Sequence, residues 1–539
     1  MMMFAPTGNR CTTMHTPMPP RAAAHRGSVV VVVVWAVAVA AVLVSATQIV
    51  TFRQAVVGRE TLARVQARWA ARAGMEQMVA IMEFHLQNAD PDDPMAVVRD
   101  MEEHATGTTA TGSWDIRHFL DGLEWAGPLD EGAKLNINVA TSMQLTNIPN
   151  MTPDVVDAII DWRDADDNVQ GLGAESDYYA NRTLGYKPRN GNFRSFAELE
   201  LVAGAWPQYV RGEDWNLNGR LDPNENDGNK SFPNDKPDGK LDGGWSKFLT
   251  ATSVQSPMSL SGENKLPLKG ADPESLTKRL GIDADQAKAL VTYGNQPNAK
   301  PEALIATPLS QLASGGTGGT GGTGGTGSTG SGSSSGTGGK SGGTGARTGG
   351  TSSGGTSMSA SASGASSGGR GSTGSSGSGS GSSAAAGGGS SGRSSSGRSS
   401  GGTGGTSAVA DLTSQQLRAV LRETTADDFA KPIPGRMNIN TVPDSVLKEV
   451  LEMDPRVADA IIARRRSKPE GITSLADLSD MSGINPTVLT QLATQFDVTS
   501  SVYTVTSRGR AATTGAEVEI EAVVDKSQLP AKIISYREQ

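Results

Sequence analysis

Along this chain the spacing of apolar positions changes from continuous, to helical, to alternating. From Ser28 to Ala46 the segment SVVVVVVWAVAVAAVLVSA carries no charge, and the apolar run continues to about Val50. A helix needs roughly 20 apolar residues to cross a hydrocarbon core, so a membrane-spanning helix is predicted over 28–50. No proline interrupts Thr51 to Gln87, where Leu62, Val65, Trp69, Ala73, Met78, Met82 and Leu86 recur at largely three- and four-residue steps. That period predicts an amphipathic stalk helix over 51–90, ended by Asp90-Pro91, with these residues as its apolar face. Arg59, Arg64, Arg68 and Arg72 fall on other faces. Near the other end, Val518, Ile520, Ala522 and Val524 alternate with polar residues, the period of a half-buried strand over Glu517–Val524. A second strand is expected over Val498–Thr506, with Arg508-Gly509 as a turn, and the two as part of a small sheet under the stalk.

Between these ends lies a repeat. LNINVATSMQLTNIPNMTPDVVDAIIDWRD (Leu135–Asp164) and MNINTVPDSVLKEVLEMDPRVADAIIARRR (Met437–Arg466) each open on Asn-Ile-Asn. Each continues through a short helix ending near Ile148 or Met453, turns at a proline, and enters a helix containing Asp-Ala-Ile-Ile. Further helix starts follow at Ser195-Phe196-Ala197 and Ser474-Leu475-Ala476. The pattern is that of doubled helix-hairpin-helix units, with a worn third copy at Asp272–Tyr293. Such hairpins often hold nucleic-acid phosphate on a glycine-rich turn. The turns here, Pro149-Asn150-Met151-Thr152 and Met453-Asp454-Pro455-Arg456, lack the glycine pair and put proline or an acid in its place. Only Ser482-Gly483-Ile484 partly fits. Arg464, Arg465 and Arg466 form a basic spot, which is usually a solvated helix end. Packing or protein contact is therefore the expected role, and no nucleic acid is expected as a partner.

Composition adds limits. The formal net charge of −8 over 539 residues does not suit a general nucleic-acid binder. The one cysteine, Cys11, excludes a disulfide within the chain. From about Gly315 to Gly405 the chain is almost wholly Gly, Ser and Thr, too poor in apolar residues to fold. No nucleophile motif, phosphate loop or zinc spacing occurs. His15, His25, His85, His104 and His118 show no metal-ligand spacing, so an enzyme is not expected.

The stretch DWNLNGRLDPNE does carry chemistry. Calcium takes six to eight oxygen ligands from a loop folded around it. Asp214, Asn216, Asn218, Asp222 and Glu225 fill the first, third, fifth, ninth and twelfth places of such a loop. Gly219 stands at the sharp turn, and Arg220 offers its backbone carbonyl at the seventh. A poorer site follows in NDKPDGKLDGGW, from Asn234 or Asp235, Asp238 and Asp242, with Trp245 where the closing carboxylate should be. Asp164, Asp166, Asp167 and Glu175 make a further acidic cluster. An exported domain without disulfides gains rigidity from ions that bind only its folded form, so calcium is expected to be structural. The loop lacks the pair of flanking amphipathic helices that a calcium switch needs.

Arg10, Arg21, His25 and Arg26 precede the apolar helix with no acid among them, which keeps the start cytoplasmic and exports the rest. On these residues three readings stay open: a secretory signal cut near Val44-Ser45-Ala46, a plain anchor, or a leader cut between Gly27 and Ser28. Arg26-Gly27-Ser28, a basic leader ending in glycine before an apolar helix, resembles the leader of type IV pilins and type II secretion pseudopilins. Ser28 departs from the usual Phe or Met, and Val32 from the usual fifth-position Glu. Cleavage leaves an ammonium among apolar helices, and a buried unpaired charge is costly. A subunit with Val32 there cannot neutralise a neighbour above it.

With Asn-Ile-Asn, Ala-Ile-Ile-Asp-Trp-Arg-Asp-x-Asp-Asp, Gly173-Ala174-Glu175-Ser176-Asp177-Tyr178-Tyr179 and Tyr186-Lys187-Pro188-Arg189-Asn190, the chain resembles the K minor pseudopilins of bacterial type II secretion. The likeness covers most of Gly27 to Val210 and, more loosely, Arg436 to Val524. It implies an α+β fold, in which an N-terminal transmembrane and stalk helix meets a pilin-like antiparallel sheet carrying inserted helix-hairpin-helix (SAM-like) units. The organisation expected is a 1–27 leader, a 28–50 transmembrane helix, a 51–90 stalk, and a 91–253 pseudopilin core holding the first hairpin unit and the calcium loop. A degenerate hairpin segment at 254–313, the 314–408 linker, a second hairpin unit at 409–497 and 498–539 strands complete it. The resemblance also implies a single-pass inner-membrane protein with its bulk periplasmic, cut by prepilin peptidase. It would cap the pseudopilus beside the I and J minor pseudopilins and near secreted cargo. Two alternatives remain: a membrane-anchored DNA receptor of the competence type, and a calcium-stabilised surface adhesin.

Overall fold

One helix, α1, runs unbroken from Ser28 to Gln87. The computed structural model describes residues 28–313, 409–481 and 483–539. The leader with Gly27, the 314–408 stretch and Ser482 lie outside the described residues. The first part of α1 is long and apolar enough to cross a membrane and is not covered by the rest of the chain.

The second part of α1 rests on a seven-stranded sheet. Its strands are β1 (Thr106–Thr108), β2 (Gly112–Leu120), β3 (Leu123–Ala126) and β4 (Leu129–Asp130), with β5 (Val502–Ala511), β6 (Glu517–Asp525) and β7 (Lys532–Glu538) from the far end of the chain. They pair antiparallel in the order β1-β2-β5-β6-β7, with β3 on β2 and β4 on β5. Side chains alternate across a strand, and β5 uses both of its faces. Tyr503 and Val505 join Ile116, Ile520, Ala522 and Val524 in the core under α1, and the Ser507 hydroxyl donates to the Ala71 carbonyl at 2.8 Å. Thr504, Thr506 and Arg508 point the other way, to Glu131, Asn218 and Asp222.

The expected stalk face is corrected here. Ala63, Ala67, Ala70 and Ala71 are wholly buried, followed by Met75, Met78, Ile81 and Met82, whereas Leu62 (58 %), Val65 (45 %) and Trp69 (60 %) are exposed. The reason is close approach. Gly509 lies against the α1 backbone, where a Cβ would collide with the Ala67 carbonyl and the Ala71 amide, so only alanines fit opposite. Arg508-Gly509 is accordingly not a turn but the inside of β5; the chain reverses after Ala511, at Gly515 with φ +74.

The repeats form matching structures. Outside them, α2 (Ala96–Glu103) precedes the strands; in the first repeat α3 (Ser142–Thr146) and α4 (Pro153–Arg163) follow Leu135–Asn136. In the second, a short helix at Val446–Val450 and a longer one at Pro455–Arg466 follow Met437–Asn438. The second Asn of each Asn-Ile-Asn is a clamp. Asn138 Oδ1 accepts from the Phe193 amide at 2.7 Å and Asn440 Oδ1 from the Ile472 amide at 2.8 Å. Their Nδ2 groups donate to Phe193 and to Ile472 and Val498 carbonyls. Arg163 donates to the Ile137 and Ala140 carbonyls, and Arg465 to those of Ile439 and Val442. Arg465 and Arg466 also pair with Asp444, so two of the three arginines in the basic spot are already engaged. Both repeats contribute to one apolar core. The helices Pro273–Leu280 and Ala284–Gly294, joined at Gly281 with φ +65, build a separate core with Val420.

Gly509→Ala is expected to destabilise the chain by about 1–3 kcal/mol, the usual cost of forcing atoms into a packed interior. Denaturant unfolding of the detergent-solubilised protein measures it, and an unchanged midpoint would contradict the close-approach account.

Candidate metal centre

Between the sheet and the first repeat, Asp214–Glu225 folds into a tight loop. Leu217 and Gly219 take left-handed backbone angles, φ 57 and 66, and Gly219 does so without strain. The Asp214 carboxylate accepts from the amides of Asn218 and Gly219, both at 3.0 Å. Asn216 Oδ1 accepts from the Asn218 amide and Asn218 Oδ1 from that of Arg220. Glu225 closes the loop, accepting from the Trp215 and Asp222 amides at 3.1 Å each. Asp214, Asn218, Arg220 and Glu225 are buried. Burial, with the nearby carboxylates of Asp222 and, for Glu225, Asp214, pushes Asp214 up to about 6 and Glu225 to about 8. The Arg220 guanidinium pairs outward with Asp115 at 2.9 Å.

This donor set suits a hard cation: buried carboxylates and amide oxygens, held on one loop, with their negative charge only partly offset. It is nevertheless not closed around one point. Among the described residues, three carboxylates come within 4.8 Å of one another at Asp161, Asp164 and Glu175, and not at Asp214, Asp222 and Glu225. The second predicted site is not gathered either. Asp238 and Asp242 accept from their own local backbone, Asp235 Oδ2 from the Asp227 amide, and Asn234, Asp238 and Asp242 are exposed. Trp245 lies in the core, donating to the Pro149 carbonyl at 2.9 Å.

The acidic cluster changes membership. Asp161, on α4, joins Asp164 and Glu175, while Asp166 and Asp167 turn to Asn168, Ser176 and Asn190. Glu175 is 3 % exposed and neither carboxylate oxygen has a hydrogen-bond partner. Burial and then the neighbouring Asp161 and Asp164 push its acid up to about 7. The chain wraps this point closely: the Gln170 amide donates to Asp161, and a Cβ on Gly173 would strike the Asp161 carboxylate. A buried anion without partners is costly, and a divalent cation would supply what Glu175 lacks. The triad can hold a metal ion. Two acids three residues apart on one helix end were the sequence signal for Asp161.

The segment containing this triad is also the one that resembles a known family. Residues 134–212 match the family model for type II secretion system (T2SS), protein K. Over that segment the chain is similar to protein K. The matched segment includes the first Asn-Ile-Asn, the Asn138 clamp and the triad, and ends just before the Asp214–Glu225 loop. No curated protein matches the chain. A solved structure, the GspK-GspI-GspJ complex of the enterotoxigenic Escherichia coli type 2 secretion system, aligns over 89 % of this chain and 99 % of that one. Its identity is 10 % and its TM-score 0.37, too low for that likeness to carry any argument about this protein K relative.

Glu175→Gln should raise the melting temperature of chelator-treated protein and abolish the shift that divalent cations give at the triad, both read by thermal unfolding. The pH dependence follows from the same charges. Acids whose folded pKa is raised contribute stability at low pH that is lost as pH climbs through the folded value. Chelated protein is therefore expected to be less stable at pH 8.5 than at pH 5.5, the loss falling between about 4 and 8. Added calcium should reverse it at the higher pH.

Proposed function

We propose that this chain is a protein K family member, a minor pseudopilin capping the tip of the type II secretion pseudopilus, in support of export of folded proteins across the outer membrane. The observation that carries this reading is the two-faced stalk. Its alanine face is used up by its own sheet, while Leu62, Val65 and Trp69 stay exposed on the same helix that continues into the apolar segment. A large apolar face left free on a helix is a surface for other helices. The I- and J-type minor pseudopilins are the partners this reading assigns to it.

The leader is cut between Gly27 and Ser28 by prepilin peptidase, leaving a single-pass inner-membrane helix with the head in the periplasm. The new ammonium on Ser28 needs a counter-charge, and Val32 can give none to a subunit above, which suits the uppermost position. The head is bulky as well, with two repeats sharing one core beside the sheet, and would clash if repeated along a tight stack. The repeats serve packing: Arg163 and Arg465 spend their donors on carbonyls within the fold. Calcium at Asp214–Glu225, and a divalent ion at the triad, stiffen a head that has no disulfide.

Mass spectrometry of the mature protein should find Ser28 at its amino terminus. The detergent-solubilised chain should then retain I- and J-type pseudopilins in pull-down, more weakly after chelation. Retention of residues 1–27, or a distribution along the whole fibre, would overturn the tip assignment.

A further inference from the structure

Arg508 pairs with a carboxylate of the Asp214–Glu225 loop, and it comes from the strand on which the stalk rests. Its Nη2 donates to Asp222 Oδ1 at 2.5 Å and to Glu519 Oε2 at 2.8 Å, and its Nε to Glu519 at 3.0 Å. The other Asp222 oxygen accepts from the side-chain amides of Asn216 and Asn218, at 2.9 and 3.1 Å. Asn218 Nδ2 also donates to Glu519 at 2.8 Å. The ninth-position carboxylate is therefore held wholly by donors. The asparagines at the third and fifth positions spend their oxygens on the loop's own amides. The guanidinium thus offsets the ninth-position carboxylate and leaves those of Asp214 and Glu225 without a paired cation among the described residues. A divalent cation asks for the opposite arrangement, with carboxylate and amide oxygens turned inward.

We propose that Arg508 is a built-in counter-ion of this loop, which a bound divalent cation displaces from Asp222, so that strand β5 registers whether the loop is loaded. The inference rests on the calcium reading of the loop given above. Its route is short. Arg508 lies between Ser507, whose hydroxyl bonds the Ala71 carbonyl of α1, and Gly509, packed on the α1 backbone at Ala67. Thr506, one residue further back, bonds the Asn218 carbonyl at 3.0 Å. A guanidinium carries one charge on a planar fork, and two carboxylates share it here. When Asp222 turns to a metal, Arg508 is left to Glu519 alone and the strand between loop and stalk loses one of its two ties. Arg508 is thus a positioning residue: it keeps the loop folded without metal and lowers the loop's affinity for metal by the same contact.

Calcium chloride titrated calorimetrically into the detergent-solubilised full chain tests this, in a Glu175→Gln background that removes the triad. Arg508→Gln removes a positive charge beside a divalent site and should tighten calcium binding by about tenfold or more, while lowering the melting temperature of chelated protein. Arg508→Lys, which keeps the charge, should bind within a few fold of the parent. Equal or weaker binding by Arg508→Gln, with the parent binding normally, overturns the counter-ion role and leaves the calcium reading intact. Absence of calcium binding in both parent and Arg508→Gln overturns that reading and the inference with it. Hydrogen exchange on the unaltered chain needs no variant to fold. Calcium should alter exchange in peptides covering 503–511 and 66–75, and a change confined to 213–226 would overturn the coupling.

Discussion

The contact between α1 and β5 at Gly509 is the constraint on which the rest of this structure depends. A helix backbone pressed against a strand leaves room for a methyl group and nothing larger, which selects Ala63, Ala67, Ala70 and Ala71 on one side and Gly509 on the other. Once the helix is seated this way Leu62, Val65 and Trp69 have to face outward, while Met75, Met78, Ile81 and Met82 further along reach the core. The same strand then presents Thr504, Thr506 and Arg508 to the opposite side, where they fasten Glu131, the loop and Glu519. Stalk, sheet and loop are thus layers sharing one strand.

A second principle is clamping by asparagine. The repeats do not hold together by apolar contact alone; in each, one side-chain amide gives and takes bonds with the backbone of distant segments, and one arginine closes the carbonyls of the turn beside it. Such bonds are directional, and an unfilled partner would be costly in a buried setting. The first asparagine of each motif does different work in the two copies. Asn136 bonds Ser253, whereas Asn438 donates to Asp130, which also accepts from Thr441. That second tie attaches the later repeat to the edge of the sheet at β4.

Much of this was legible in advance, and the failures have physical causes. The length of α1, the repeat, and strand β6 follow from period and proline placement, because each sits in a long patterned segment. The expected stalk face holds at Met78 and Met82 and fails at Leu62, Val65 and Trp69, where backbone proximity rewards the smallest residues instead of the largest. Strand β2 escapes the pattern because its half-buried positions mix polar and apolar residues, and β3 and β7 because they are exposed along nearly all their length. The loop spacing at 214–225 was plain, yet Arg508 is 286 residues away in sequence and carries no local mark of its role. Asp161 is marked only by its spacing to Asp164, because its immediate neighbours Ala158, Ile159 and Trp162 are core.

Ser310 bonds the Asp411 carboxylate through both its amide and its hydroxyl, at 3.2 and 2.7 Å. Gln286 binds the carbonyls of Ala410 and Asp411 from the neighbouring helix. The two places where the Gly/Ser/Thr stretch leaves and rejoins the described chain are therefore stapled to each other. Closing a loop on a fixed root costs only the logarithm of its length. A change in the number of residues between these ends is therefore expected to alter stability by only about 0.6 kcal/mol per doubling, since the fold itself already holds the ends together.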